Sequence, residues 1–171
     1  EAVVVAGDGA RADVGFRADG RIADIGEMAD GGARADVGIL DLDQHYGNGT
    51  DDIVKRLGVQ GIRHHTMGAH FRHRDEASLF EQWLHRAIED CLDVDLLIYQ
   101  AGADPHVNDP LGKVLTGVQM AKRDHAVFSA FQGRPLVWNL AGGYQRDLNG
   151  GIEPVLKLHR TTAQIQNIYQ S

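Results

Sequence analysis

Several features are scarce in this 171-residue sequence, and each scarcity excludes a class of protein. Cys91 is the single cysteine, which excludes an internal disulfide and fits a reducing compartment. There is no apolar run long enough to span a bilayer and no secretion signal at the N-terminus, so we expect a cytoplasmic protein without a membrane partner. Basic residues are also few, since 17 against 24 acidic residues give a net charge of −7. That charge argues against a nucleic-acid partner and favours a cationic ligand.

The chain divides by composition near residue 37. Residues 1–36 are rich in Gly, Ala and Asp, and the sequence GARADVG starts at Gly9 and again at Gly32. Short β-like pieces at 2–5 and 21–25 alternate with Gly/Asp turns, which predicts small hairpins in a leader of uncertain origin. Residues 37–171 have the length and pattern of a single globular domain.

Strands and helices alternate through this second part. The predicted strands cover 37–40, a strand and its exit within 61–68, 96–99 and 136–140, and the predicted helices cover 50–57, 76–92, 117–131 and 155–168. Thr116 and Gln119 have the spacing of a capping box at the start of the third helix. This alternation predicts an α/β fold in three layers, with a parallel sheet covered by helices on both faces.

Chemically useful side chains follow three of the apolar strands. The first strand runs into DLDQHYGNGT, the third into QAGADPH and the fourth into AGGY. In the first of these segments Asp41, Asp43 and His45 alternate, so they project to one side if the strand continues. Carboxylate and imidazole donors suit zinc or a similar divalent ion, although an ordinary hydrogen-bonded turn would also account for this triplet alone. Ligands in parallel sheets gather at the carboxyl ends of the strands, where all three segments lie.

The motifs DLDQHYGNGT, YQAGADPHVNDPLG and NLAGGY, in this order within residues 37–168, resemble the zinc-dependent histone deacetylase and acetylpolyamine amidohydrolase family in its bacterial branch. The resemblance implies an arginase/deacetylase-like fold and a hydrolase that removes acetyl groups from acetylated amines, either small molecules or peptides. It implies that Asp43, His45 and Asp104 bind Zn²⁺. It also implies that Asp41 binds a structural monovalent cation such as K⁺, and that Tyr144 donates a hydrogen bond to the substrate carbonyl as negative charge develops there.

One part of the family pattern is missing. The family has a tandem histidine pair, before the first zinc-ligand strand, that acts as general base, whereas no histidine precedes His45. The pair His64-His65 follows that strand, and alternation along its own strand should turn the two rings to opposite faces. We therefore expect a domain truncated on its N-terminal side relative to the family. Its activity is in question because a placed base contributes a factor of about 10² to 10⁴.

Three functions remain open at this point. The first is a zinc-dependent deacetylase, which could be a homo-oligomer. The second is a truncated, weakly active or inactive homologue that acts as a metal-binding or interaction module. The third is another metallohydrolase to which residues 1–36 contribute a small β-subdomain, and this would require additional ligand clusters.

Overall fold

The computed structural model describes residues 35–169 and, before them, only the backbone of two short strands. These strands, β1 (Gly15–Phe16) and β2 (Ile22–Ala23), pair antiparallel. Strand β2 falls within the β-like piece predicted at 21–25, whereas the piece at 2–5 lies outside the described residues. The division of the chain near residue 37 stays a prediction.

Four parallel strands form the main sheet. They are β3 (Val37–Asp41), β4 (Ile62–Thr66), β5 (Leu96–Gly102) and β6 (Leu136–Ala141), in the order β4-β3-β5-β6. All three strand pairings are parallel, and Asp41 lies in register with Thr66 on one side and Gln100 on the other. The carboxyl ends of all four strands therefore meet at one edge of the sheet, as the predicted fold requires.

Four helices connect or follow these strands. They are α1 (Asn48–Leu57), α2 (Ala77–Asp90), α3 (Gly117–Ala130) and α4 (Glu153–Tyr169). The predicted capping box of α3 is confirmed, because the Gln119 amide donates to the Thr116 hydroxyl and the Gln119 side chain accepts from the Thr116 amide. Among the described residues, no helix has the length and apolar character needed to cross a membrane.

The helices lie on both faces of the sheet. His64 and His65 are adjacent in β4, and their rings contact Asp51 of α1 and Asp90 of α2 respectively. Since neighbouring residues of a strand point to opposite faces, α1 and α2 lie on opposite sides. The main core is on the α2 side, where α3 also packs against α4. Its buried members include Leu40, Leu97, Tyr99, Phe80, Leu84, Ile88, Val127, Phe128 and Ile165.

Two local predictions need correction. Helix α1 begins at Asn48 rather than Thr50, because the carbonyl of Gly47 accepts from the amides of Thr50 and Asp51 and so places Thr50 inside the first turn. The apolar residues of 76–92 recur at helical spacing, and this periodicity predicts Leu79 on the apolar face of α2, but Leu79 is 60% exposed. Its neighbours one turn along include the exposed Gln82, so Leu79 belongs to the polar stripe of the helix.

Candidate metal centre

The three predicted zinc ligands converge at the carboxyl edge of the sheet. Asp43 and His45 follow the end of β3 by two and four residues, and Asp104 follows the end of β5 by two. Nδ1 of His45 lies 3.0 Å from Oδ1 of Asp43 and 2.9 Å from Oδ2 of Asp104. One ligand atom from each residue fits within 4.8 Å of the others. Parallel pairing of β3 with β5 produces this convergence across about 60 residues of sequence.

The burial of this group, which we call the candidate metal centre, leaves a polar atom without a well-formed hydrogen bond. Asp104 is fully buried, and its Oδ1 accepts from the amide of Gln44 at 3.2 Å. Its Oδ2 accepts no well-formed hydrogen bond: it lies 2.9 Å from Nδ1 of His45, but that nitrogen is also 3.0 Å from Oδ1 of Asp43 and cannot donate fully to both carboxylates. A buried oxygen of this kind is costly unless something compensates it. An ion between the three side chains would do so.

The electrostatics agree with a cation. Burial, and then repulsion from Asp43, raises the pKa of Asp104 to about 7. Burial lowers the pKa of His45, but the hydrogen bond to Asp43 and the charge of Asp104 outweigh it, so the pKa is raised. Two carboxylates held this close repel each other, and a divalent cation relieves that repulsion. The donor set of two carboxylates and one imidazole therefore fits a metal of the zinc type.

Glycines allow the backbone to approach the carboxylates. Gly142, just after β6, has a φ of +54°, and a Cβ there would lie 2.3 Å from Oδ1 of Asp104 and 2.7 Å from Oδ2 of Asp43. A side chain at position 142 would therefore collide with the candidate metal centre. His159 of α4 also reaches this turn and donates a hydrogen bond to the backbone of Gly142, while burial lowers the His159 pKa. The apolar-to-glycine ending of β6 predicted the turn, but no sequence signal pointed to His159.

Tyr144 lies beside the candidate metal centre. Its ring is edge-on to that of His45, with 5.9 Å between the centroids, and the residue is 44% exposed. The Tyr144 amide donates to Oδ2 of Asp109 at 2.7 Å, while Oδ1 of Asp109 accepts from the amide of Leu111 at 3.0 Å. Asp109 is fully buried. The sequence Asn108-Asp109-Pro110 is typical of a turn, but nothing in it indicates that this aspartate anchors the Tyr144 backbone.

Asp41 supports the ligand segment rather than joining the candidate metal centre. Its Oδ1 accepts from Nε2 of Gln100 at 2.8 Å and from the amide of Asp43 at 3.3 Å. Its Oδ2 lies 3.9 Å from Nε2 of His64. Burial raises the Asp41 pKa. Asp41 is therefore placed to orient the ligand turn, and its binding of a monovalent cation stays a prediction.

The tandem histidines have separate surroundings. Nδ1 of His64 lies 2.7 Å from Oδ1 of Asp51, and Nε2 of His65 lies 2.9 Å from Oδ2 of Asp90. The prediction that the rings face opposite sides of the sheet is confirmed. The two rings therefore cannot act side by side as a pair.

A buried arginine ties the two ligand-bearing strands together. Nη1 of Arg123 donates to the carbonyl of Leu42 at 3.2 Å and to that of Gly102 at 2.8 Å. Leu42 immediately precedes Asp43, and Gly102 lies two residues before Asp104. Nε of Arg123 donates to Asp124 at 2.8 Å, so the buried charge is paired. Sequence reasoning missed Arg123 because an arginine on an amphipathic helix ordinarily indicates a solvated position.

Comparisons with known proteins support the fold. No protein-family model matches the chain. An uncharacterized protein of Picosynechococcus sp. is 28% identical over 146 residues, covering 74% of this chain and 49% of that protein. The chain thus spans about half the length of the curated relative that it matches.

Two solved structures are similar in fold. Acetylpolyamine aminohydrolase from Burkholderia pseudomallei has a TM-score of 0.61 at 18% identity, covering 78% of this chain and 45% of that one. A histone deacetylase homologue from Aquifex aeolicus has a TM-score of 0.54 at 15% identity, covering 84% and 44%. The predicted deacetylase-like α/β fold is therefore confirmed. At such identities the likeness shows the fold alone, and function must be argued from the residues.

Proposed function

We propose that this chain carries the metal site of a zinc-dependent amide hydrolase of the deacetylase type, in the bacterial branch of that family. The observation that carries the proposal is the convergence of Asp43, His45 and Asp104 around a buried carboxylate oxygen that accepts no well-formed hydrogen bond. The likeness in fold to an acetylpolyamine aminohydrolase also supports amide hydrolysis as the chemistry of this site.

The three ligands would hold zinc with positions left for water and a carbonyl oxygen. Bound zinc supplies a Lewis acid that polarises an amide carbonyl and lowers the pKa of water. Asp104 is rigidly placed by burial and by the Gln44 amide, whereas the His45 side chain is 53% exposed. The open side of the candidate metal centre therefore lies toward His45, and a substrate would approach from there.

Tyr144 stands on this open side. Its phenol would donate a hydrogen bond to the carbonyl oxygen as negative charge develops, which lowers the barrier of amide hydrolysis. Asp109 assists indirectly, because it fixes the backbone amide of Tyr144 and so limits the positions that the ring can take. The substrate class would be an acetylated amine, as a small molecule or a peptide, and the net charge of −7 favours a cationic one.

A second candidate function is a metal-binding module without turnover. It is favoured by the arrangement of His64 and His65, which pair with Asp51 and Asp90 on opposite faces of the sheet. Without a placed base, hydrolysis would lose a factor of about 10² to 10⁴. The two candidates share the metal and differ in activity.

Metal analysis combined with deacetylation assays on acetyl-lysine peptides and acetylpolyamines tests both candidates. We expect Asp104→Ala to lose one equivalent of bound zinc and all turnover, whereas Asp52→Ala, at an exposed position of α1, should change neither. Tyr144→Phe should keep the zinc and lower kcat by about 10² to 10³. Tyr46→Phe is the matched control, since Tyr46 is also 44% exposed but its hydroxyl is bonded to Asp51.

The outcomes separate the candidates. Zinc with turnover that both site variants reduce supports the hydrolase. Zinc without turnover on either substrate class supports the binding module. If Asp104→Ala binds as much zinc as the unmodified chain, both candidates are wrong.

A further inference from the structure

A second group of metal-ligating side chains lies outside the candidate metal centre. It consists of His65 in β4, Asp90 at the end of α2 and Cys91, which caps that helix. Nε2 of His65 lies 2.9 Å from Oδ2 of Asp90, and the three ligand atoms, including Sγ of Cys91, all lie within 4.8 Å of one another. We call this group the second cluster.

The fold brings the second cluster together for identifiable reasons. His65 points to the α2 side of β4, opposite to His64. Helix α2 ends over this part of the sheet, where Cys91 is fully buried. Gly38 of β3 lies directly below, and a Cβ there would come within 3.0 Å of Sγ of Cys91. Because Gly38 has no side chain, the thiol of Cys91 can pack directly against the sheet.

The thiolate, imidazole and carboxylate donors of the second cluster together favour a zinc-type ion. Thiolate and imidazole together select zinc and its close relatives over Mg²⁺ or Ca²⁺, and a carboxylate completes a three-ligand site with one open position. Metal bonds of about 2.0–2.3 Å put tetrahedral ligand atoms roughly 3.3–3.8 Å apart, so shifts of about 1 Å or less would close this site.

Charged groups act on the thiol of the second cluster. The charge of Arg63 is felt at Cys91, and its guanidinium donates hydrogen bonds to Asp93 and to the carbonyl of Asp90. Burial raises the pKa of Cys91 to about 11, so the thiol is protonated at neutral pH unless a cation displaces the proton. Of the three side chains, the Asp90 carboxylate is the most open to solvent and offers the route by which an ion enters.

We propose that His65, Asp90 and Cys91 form a second binding site for a zinc-type divalent ion, which links the edge strand β4 to the end of helix α2. The site shares no residue with the candidate metal centre and does not depend on the proposed hydrolase function. The ion would join two elements 25 residues apart in sequence at the edge of the sheet that the described residues form, with water in its fourth position.

Cobalt substitution tests this proposal selectively. Cys91 is the only cysteine in the sequence, and the ligands of the candidate metal centre are nitrogen and oxygen atoms alone. A thiolate-to-cobalt charge-transfer band in the near ultraviolet can therefore arise only at the second cluster. We expect Co²⁺ to produce this band in the Asp104→Ala variant as strongly as in the unmodified chain, and added Zn²⁺ to remove it.

Matched substitutions decide whether all three residues bind the ion. Asp90→Asn and His65→Gln should each weaken Co²⁺ binding at least tenfold, whereas Glu89→Gln and His85→Gln, at exposed positions of α2, should leave it unchanged. In the unmodified chain, Zn²⁺ should also slow alkylation of Cys91, a measurement that needs no variant. Absence of the band in folded protein overturns the proposal, as does a band that both Asp90→Asn and His65→Gln leave unchanged. Either result would leave an ordinary His65–Asp90 pair beside an inert thiol.

Discussion

Replacement of Gly142 by alanine should damage the candidate metal centre more than it damages the fold. The added Cβ would lie 2.3 Å from Oδ1 of Asp104, and ordinary van der Waals contact begins near 3.4 Å. The carboxylate or the turn must therefore move by about 1 Å, whereas metal sites tolerate deviations of roughly ±0.2 Å in ligand distance. We expect the zinc dissociation constant to rise at least tenfold, which corresponds to about 1.4 kcal/mol.

A second glycine separates this effect from backbone strain. Gly58, the C-cap of α1, has a φ of +60°, close to the +54° of Gly142, but a Cβ there would meet nothing within 4 Å. Gly58→Ala should lose about 1–2 kcal/mol of stability, because alanine is strained in the left-handed region. Gly142→Ala should lose at least as much, because its Cβ also meets the two carboxylates. Only Gly142→Ala should also lose zinc affinity.

The measurements are thermal denaturation of the metal-free variants and zinc titration against a chromogenic chelator. Equal zinc affinity in Gly142→Ala and Gly58→Ala would refute the reasoning, since it would mean that the turn after β6 does not hold the two carboxylates in place.

Two further predictions concern residues that support the site from outside the ligand set. Asp109→Ala should lower the free energy of unfolding by about 1–3 kcal/mol in urea denaturation, because it leaves the amide of Tyr144 and a second amide without an acceptor. Asp147→Ala also removes the acceptor of two amides but in an exposed loop, so a loss as large as that of Asp109→Ala would contradict the burial argument. Burial lowers the pKa of His159 below its ordinary value of 6.5. The unfolded chain therefore binds a proton at this histidine more readily than the folded chain does, and the free energy of unfolding falls as the pH drops below about 6.5. The fall between pH 7.5 and 5.5 should be smaller in His159→Gln than in the control His85→Gln, and equal falls would show that His159 does not contribute.

The sequence predicted the sheet well because its signals are local. Runs such as Leu96–Tyr99 are apolar and continuous, as strands buried on both faces must be, and each is followed by a segment that contains glycine. The rule that ligands gather at carboxyl ends then places Asp43 and Asp104 at one edge without any knowledge of the register. The choice of Asp43, His45 and Asp104 as ligands came from the resemblance of the motifs to the deacetylase family, and the strand-end rule agrees with that choice.

The supporting contacts could not be predicted because they depend on long-range geometry. Asp109 has the Asp-Pro pattern of a turn, and nothing local indicates that its second oxygen reaches the amide of Tyr144, 35 residues away. His65 and Cys91 are similar in this respect, because only the crossing of α2 over β4 brings them together. Leu79 is a different case, because the local pattern predicted burial and the prediction was wrong. This leucine lies just outside the apolar stripe of α2 that faces the sheet.

The buried guanidinium of Arg123 has a consequence for how the candidate metal centre fills. One side chain clamps the carbonyls of Leu42 and Gly102, so the spacing between the two carboxylate-bearing segments is established when the sheet forms. Ion uptake would then need no refolding, so the amides of β3 and β5 should already be protected from hydrogen exchange in the metal-free protein. The two carboxylate-bearing segments would keep their spacing whichever cation they bound.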